Sequence, residues 1–280
     1  MEKERKPWWL YLNLLGLDAP LIAVIWLFLF AQTWRVDYHP WQAYAALGFA
    51  VWTFRIAMKL LQGSMSSDDF SFPMVHRKSL KVAAVITGFS AIILTVMNFP
   101  LSVYPYLLVG AVFVAGHFAL TLFSSREENE IGYAKHAMGG VAFAFGTALT
   151  AHVYLPSLGL RELILSREFI CFAVLCLLAS SAMELWERTG KPASDGEAGS
   201  MDEIALSLPL TLLGAAALIF AVQDDLMTAR PFYYGILTGA ALLQVLNRTR
   251  GRFGLETLRV LTVLCLLAPG IIFKSYPLGG

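Results

Sequence analysis

The sequence predicts an all-α fold: a polytopic membrane protein with nine transmembrane helices forming one domain over residues 1–280. Three observations predict it. Hydrophobic residues make up 57% of the chain and charged residues 15%, against about 25% charged in a soluble domain. Mean hydropathy is +0.62. Apolar stretches close to the roughly 20 residues needed to cross a bilayer recur along the whole length.

The first stretch, residues 10–32, follows a charged N-terminus closed by Trp8 and Trp9, which read as interface anchors. It is long, and no small-residue cleavage site ends it, so a retained helix is expected rather than a signal peptide. The others are 41–62, 79–98, 101–123, 136–156, 168–187, 203–222, 230–248 and 257–274. With the N-terminus cytoplasmic, the loops on that side carry fourteen Lys and Arg residues, and the opposite loops carry Arg35, Arg161, Arg167, Arg230 and Lys274. This bias predicts nine crossings with the C-terminus outside. The more polar loops follow helices two, four, six and eight, which concentrates polar groups at the cytoplasmic mouth.

Net charge is +1 and no basic stripe occurs, so nucleic acid is not an expected partner. Cys171, Cys176 and Cys265 lie in apolar runs without metal or disulfide spacing, and read as small buried residues. His117 and His152 stand singly in apolar segments and read as helix–helix hydrogen-bonding groups. Ser67-Asp68-Asp69 is a lone acidic pair in a loop. The sequence holds no phosphate-cradling glycine loop, nucleophile elbow or zinc motif.

Three constellations could carry chemistry. The second stretch holds two cations, Arg55 and Lys59, four residues apart on one helix face. An ionisable group inside a membrane is by default a functional-site hypothesis. Asp18 on the first stretch lies about 12 Å from the cytoplasmic end and Arg55 about 10 Å, at roughly 1.5 Å per residue. The matching depths predict that Asp18 contacts one of the two cations. Either a charge bridge locks two helices, or the cations line a cavity for an anionic head group. The second constellation is the loop from Ser124 to His136, with Arg126, Glu127, Glu128 and Glu130 ahead of Tyr133-Ala-Lys135. It reads as a solvated loop, or as placing Lys135 at a helix entrance facing an anion. Gly139, Gly140 and Gly146 follow, small enough for close helix approach or for a ligand. The third is Glu184 with Glu187 at helical spacing, a weak pair of hard-cation ligands or an interfacial cluster with Arg188.

The element pattern and some local wording resemble a known family. Tyr133-Ala-Lys135-His-Ala-Met-Gly139-Gly140-Val-Ala-Phe143-Ala-Phe-Gly146 is similar to the stretch opening helix five of the UbiA-type intramembrane prenyltransferase superfamily. Leu15-Gly-Leu-Asp18-Ala-Pro20 and Ala50-Val-Trp52 look like a divergent bacterial branch of it. The resemblance implies a UbiA-like bundle in a bacterial inner membrane. It also implies isoprenoid substrates, and Mg²⁺ if the chain is active. That superfamily holds a prenyl diphosphate through Mg²⁺ on N-D-x-x-D-x-x-x-D in helix two and a second acidic motif after helix six. The matching positions here are Phe54, Arg55, Met58 and Gln62. No carboxylate survives and one position has become a cation. Glu184 and Glu187 stand nearest the second motif, at altered spacing.

The expected function is therefore a divergent UbiA-like membrane protein without standard Mg-dependent prenyl transfer. It binds an isoprenoid or anionic lipid in a cytoplasm-facing cavity through Arg55, Lys59 and Lys135. The alternatives are an active prenyltransferase acting on an aromatic or lipid acceptor, and a transporter or membrane-complex subunit. The sequence names neither the ligand nor the oligomeric state.

Overall fold

Apolar segments that must leave no backbone group unpaired in a bilayer become helices. The computed structural model describes residues 10–65, 72–123, 130–155, 159–189, 196–224 and 228–275, and these hold helices without a strand. The helices are α1 (Leu10–Leu14), α2 (Asp18–Thr33), α3 (Trp41–Met65), α4 (Phe72–Val75), α5 (Arg77–Asn98), α6 (Tyr104–Phe123), α7 (Glu130–His152), α8 (Leu160–Leu165), α9 (Arg167–Thr189), α10 (Gly196–Gln223), α11 (Arg230–Thr249) and α12 (Leu255–Ser275). Asp68, Asp69, Arg126, Glu127 and Glu128 lie outside the described residues, as do the side chains of Glu130, Tyr133 and Arg188.

Every expected apolar stretch carries helix. Five segments among the described residues are long and apolar enough to cross a membrane: Trp41–Gly63, Arg77–Asn98, Leu101–Phe123, Arg167–Glu187 and Ala205–Gln223. With broad apolar faces exposed on them, the chain is an integral membrane protein. The expected count of nine crossings goes beyond what length and hydropathy establish. α2, at 16 residues, rises only about 24 Å, short of a roughly 30 Å hydrocarbon core. α7 is diluted by Lys135, His136, His152, Gly and Thr, and α11 carries Gln244 and Asn247.

The first stretch departs from expectation. It is not one helix over 10–32 but two, separated at Leu15-Gly16-Leu17. Gly16 has φ 73°, the left-handed region where glycine avoids the Cβ penalty. The Gly16 amide donates to the Asn13 carbonyl at 3.0 Å, and the Leu17 amide to the Leu12 carbonyl at 2.9 Å. This paired closure is a Schellman motif, and it stops α1 after little more than one turn.

By contacts the chain divides into two compact units, one of Met1–Val24 with Pro40–Leu101 and the other of Ile25–His39 with Ser102–Gly280. In the first unit α3 packs along α5. Leu80, Thr87 and Ala91 face inward from α5, and Thr53 and Thr87 share a hydroxyl hydrogen bond at 2.7 Å. In the second unit α9 is the central helix, touching α7, α8, α10, α11 and α12. Its Phe172 stacks on Trp26 at 4.4 Å, and Phe30 and Phe232 complete a buried aromatic cluster. Trp26 Nε1 donates to the Leu266 carbonyl at 2.9 Å, which satisfies the one polar atom in that cluster. α7 meets α9 backbone to backbone: a Cβ on Gly140 would lie 2.9 Å from Leu177 Cα. The small residues on α7 thus serve close helix approach at Gly140.

Candidate functional site at a broken helix

The break between α1 and α2 frees backbone groups at the end of α1, and these need partners. Lys59, on α3, donates its ammonium to the Asn13 carbonyl and, at 3.2 Å, to the Leu14 carbonyl. Trp52, two turns earlier on α3, donates Nε1 to the Leu15 carbonyl at 2.9 Å. The C-terminal carbonyls of α1 therefore end on a cation and an indole from one neighbouring helix.

Asp18 opens α2, where the helix dipole favours a carboxylate. Its Oδ2 accepts from Asn13 Nδ2 at 3.0 Å and from Arg55 Nη2 at 3.3 Å. The Asp18 side chain is 6% exposed and the Arg55 side chain 42%. The pair is thus asymmetric: a buried acid holds Nη2 of an arginine whose side chain is partly exposed. Asp18 Oδ1 and Arg55 Nε are both buried without a hydrogen-bond partner. Gly16 fits tightly against this arrangement, since a Cβ there would lie 3.0 Å from Arg55 Cγ.

The remaining sequence-predicted residues fall in the second unit. α7 starts at Glu130, so Lys135 lies in its second turn and not at a loop end. The Lys135 carbonyl bonds His117 Nδ1 of α6 at 2.8 Å. The neighbouring His136 pairs through Nε2 with Glu184 of α9. Glu187, one turn on, pairs with Arg259 of α12 at 2.5 Å, with both side chains near half exposed. Trp186, between the two acids in sequence, points the other way and donates to Asn247 at 3.0 Å.

The structure thus joins Asp18 to Arg55 and sets Lys59 on the helix break. It gives Glu184 and Glu187 different direct partners, His136 and Arg259. Helical spacing alone could not reveal this, because the partners come from α7 and α12. Sequence reasoning missed Asn13, Trp52, His136 and Arg259. A polar Asn five residues before an intramembrane Asp was an available signal for the first. Nothing local pointed to the other three.

The carboxylates nearest the resemblance's second motif are already engaged, Glu184 with His136 and Glu187 with Arg259. Magnesium is usually held by one or two carboxylates together with waters and substrate phosphates, so either glutamate would have to leave its partner to ligate it. No three His, Cys, Asp or Glu side chains converge among the described residues. No protein family, curated protein or solved structure matches the chain.

Proposed function

We propose that the chain is a UbiA-like integral membrane protein that holds an anionic head group with side-chain charge in place of metal. The observation that carries this reading is the partly exposed Arg55 side chain, 42% accessible beside the buried Asp18, at a position where the resembled family keeps a metal-binding aspartate. Asp18 engages Arg55 through Nη2 alone, so the remaining Nη hydrogens are the donors that would meet a phosphate or diphosphate oxygen. Lys59 takes a different part from the one its sequence suggests. It fixes the helix break that places Asp18, and so positions Arg55. Lys135 is retained as a candidate anion contact of the second unit. The ligand class is an isoprenoid diphosphate or another anionic lipid. The proposed topology is nine crossings, N-terminus cytoplasmic and C-terminus outside, on the strength of the loop cations. The oligomeric state does not enter the reading.

The active-transferase alternative draws on one specific observation, the His136–Glu184 pair. An imidazole backed by a carboxylate can accept a proton from an acceptor hydroxyl. The transporter alternative draws on the broken helix, a feature transporters also use.

The test is binding of farnesyl diphosphate to the purified protein in lipid nanodiscs, with Mg²⁺ and with EDTA, followed by product analysis. The paired variant Asp18→Asn with Arg55→Gln removes the cation without burying a lone charge. Equal binding with Mg²⁺ and EDTA, weakened about tenfold in the paired variant, is the expected result, as a lost charge-assisted pair is worth about 1.5 kcal/mol or more. Product formation that requires Mg²⁺ would overturn the proposal, as would full affinity in the paired variant.

A further inference from the structure

α5 presents two chemistries in register on its outward face. Its inward residues are Leu80, Thr87 and Ala91. At 100° per residue the opposite stripe starts at Lys78 and continues through Val82, Val85 and Phe89. Val85 is 71% exposed and Phe89 66%. Lys78, Ser79, Val82, Ala83 and Ile86 line a shallow open groove of about 460 Å³. Lys78 lines the head of this groove, Arg77 stands beside it in the first turn of α5 and Lys81 follows, and that first turn holds no acid. His76 before them supplies no side-chain cap. Cations at a helix N-terminus oppose the helix dipole, so the helix itself gains nothing from this placement. A ligand outside the fold with negative charge does gain from it.

We infer that this face binds an anionic phospholipid, its phosphate against Arg77, Lys78 and Lys81 and an acyl chain along Val82, Ile86 and Phe89. The occupant must be anionic at one end and hydrocarbon along the rest. A soluble anion would meet only the cations and make no use of the apolar stripe, and a neutral lipid would offer the cations no counter-charge. Basic residues at the end of a membrane helix recognise anionic lipid in this way. Phe72, stacked on His76 at 4.3 Å, supplies an aromatic ring at the same end, as expected at the head-group level. The site is on a different face and different residues from the Arg55 site and does not depend on it.

The experiment is native mass spectrometry of the delipidated protein offered phosphatidylglycerol and phosphatidylcholine with identical acyl chains. The comparison is run in the wild type and in the Asp18→Asn, Arg55→Gln background, so that lipid held at Arg55 is not counted. We expect phosphatidylglycerol to be retained about fivefold over phosphatidylcholine in both. The triple variant Arg77→Gln, Lys78→Gln, Lys81→Gln should lose that preference. Loop cations also guide insertion, so a salt series on the wild type gives a second readout. Its preference should collapse by about 0.5 M salt, where screening shortens to a few ångströms. Equal retention of the two lipids, a preference unchanged in the triple variant, or a preference indifferent to salt each overturns the inference.

Discussion

The two units solve the membrane problem with different interactions. In the first, α3 and α5 bury little: 22% of the apolar window of α3 and 17% of that of α5 are enclosed by protein. In the second, the central α9 has 61% of its window enclosed, while the outer α10 and α6 have 33% and 11%. The first unit is therefore specified by polar geometry at the helix break. The heart of the second, at α9, is specified by close packing around aromatic rings. Apolar side chains gain little by leaving lipid for protein, so a sparsely packed unit relies on hydrogen bonds and charge for its register. A densely packed unit relies on contact and shape.

The comparison predicts an order of effects. The largest belongs to Gly140→Leu, which drives a side chain into the α9 backbone beside Leu177. Thermal unfolding in detergent should show a loss of at least about 3 kcal/mol, or no folded protein. A fully tolerated leucine would break the picture of backbone contact. Phe172→Ala follows, at about 3 kcal/mol, since Phe172 is 0% exposed and touches Trp26 and Phe30. Its counterpart in the first unit, Phe89→Ala, should stay within about 0.5 kcal/mol, because that ring lies on an exposed face.

Charge changes should rank the other way. Arg55→Ala leaves the buried Asp18 carboxylate without a counter-ion and should cost about 3 kcal/mol. Adding Asp18→Asn should recover most of that loss. A double variant no better than Arg55→Ala would show that packing, and not charge, dominates there. Glu187→Gln removes the exposed pair with Arg259 in the second unit, and should change stability by less than about 1 kcal/mol. If it instead matched Arg55→Ala, the contrast between the units would fail.

Helix positions were largely legible in the sequence, because a backbone in lipid has few other ways to pair its amides. The interruption at Gly16 was not. A single glycine inside an apolar run is compatible with an unbroken membrane helix, and the closure becomes favourable only once Lys59 and Trp52 meet the freed carbonyls. The Asp18–Arg55 contact was legible because depth along two adjacent helices can be counted from rise alone. The fate of Glu184 and Glu187 was not legible, since their partners lie 48 and 72 residues away in sequence, on α7 and α12.

By itself, then, the sequence determined that this is a helical membrane protein, where its apolar segments lie, and which ionisable groups sit within them. Those properties follow from hydropathy and residue spacing, which are local. Only the tertiary structure decided that Lys59 serves a helix break, that the Arg55 side chain stays partly exposed, and that the two glutamates take different partners. Each of these depends on which side chain from a distant helix arrives to satisfy a buried polar atom. The cost of leaving such an atom unsatisfied makes that arrival obligatory without naming the partner in advance.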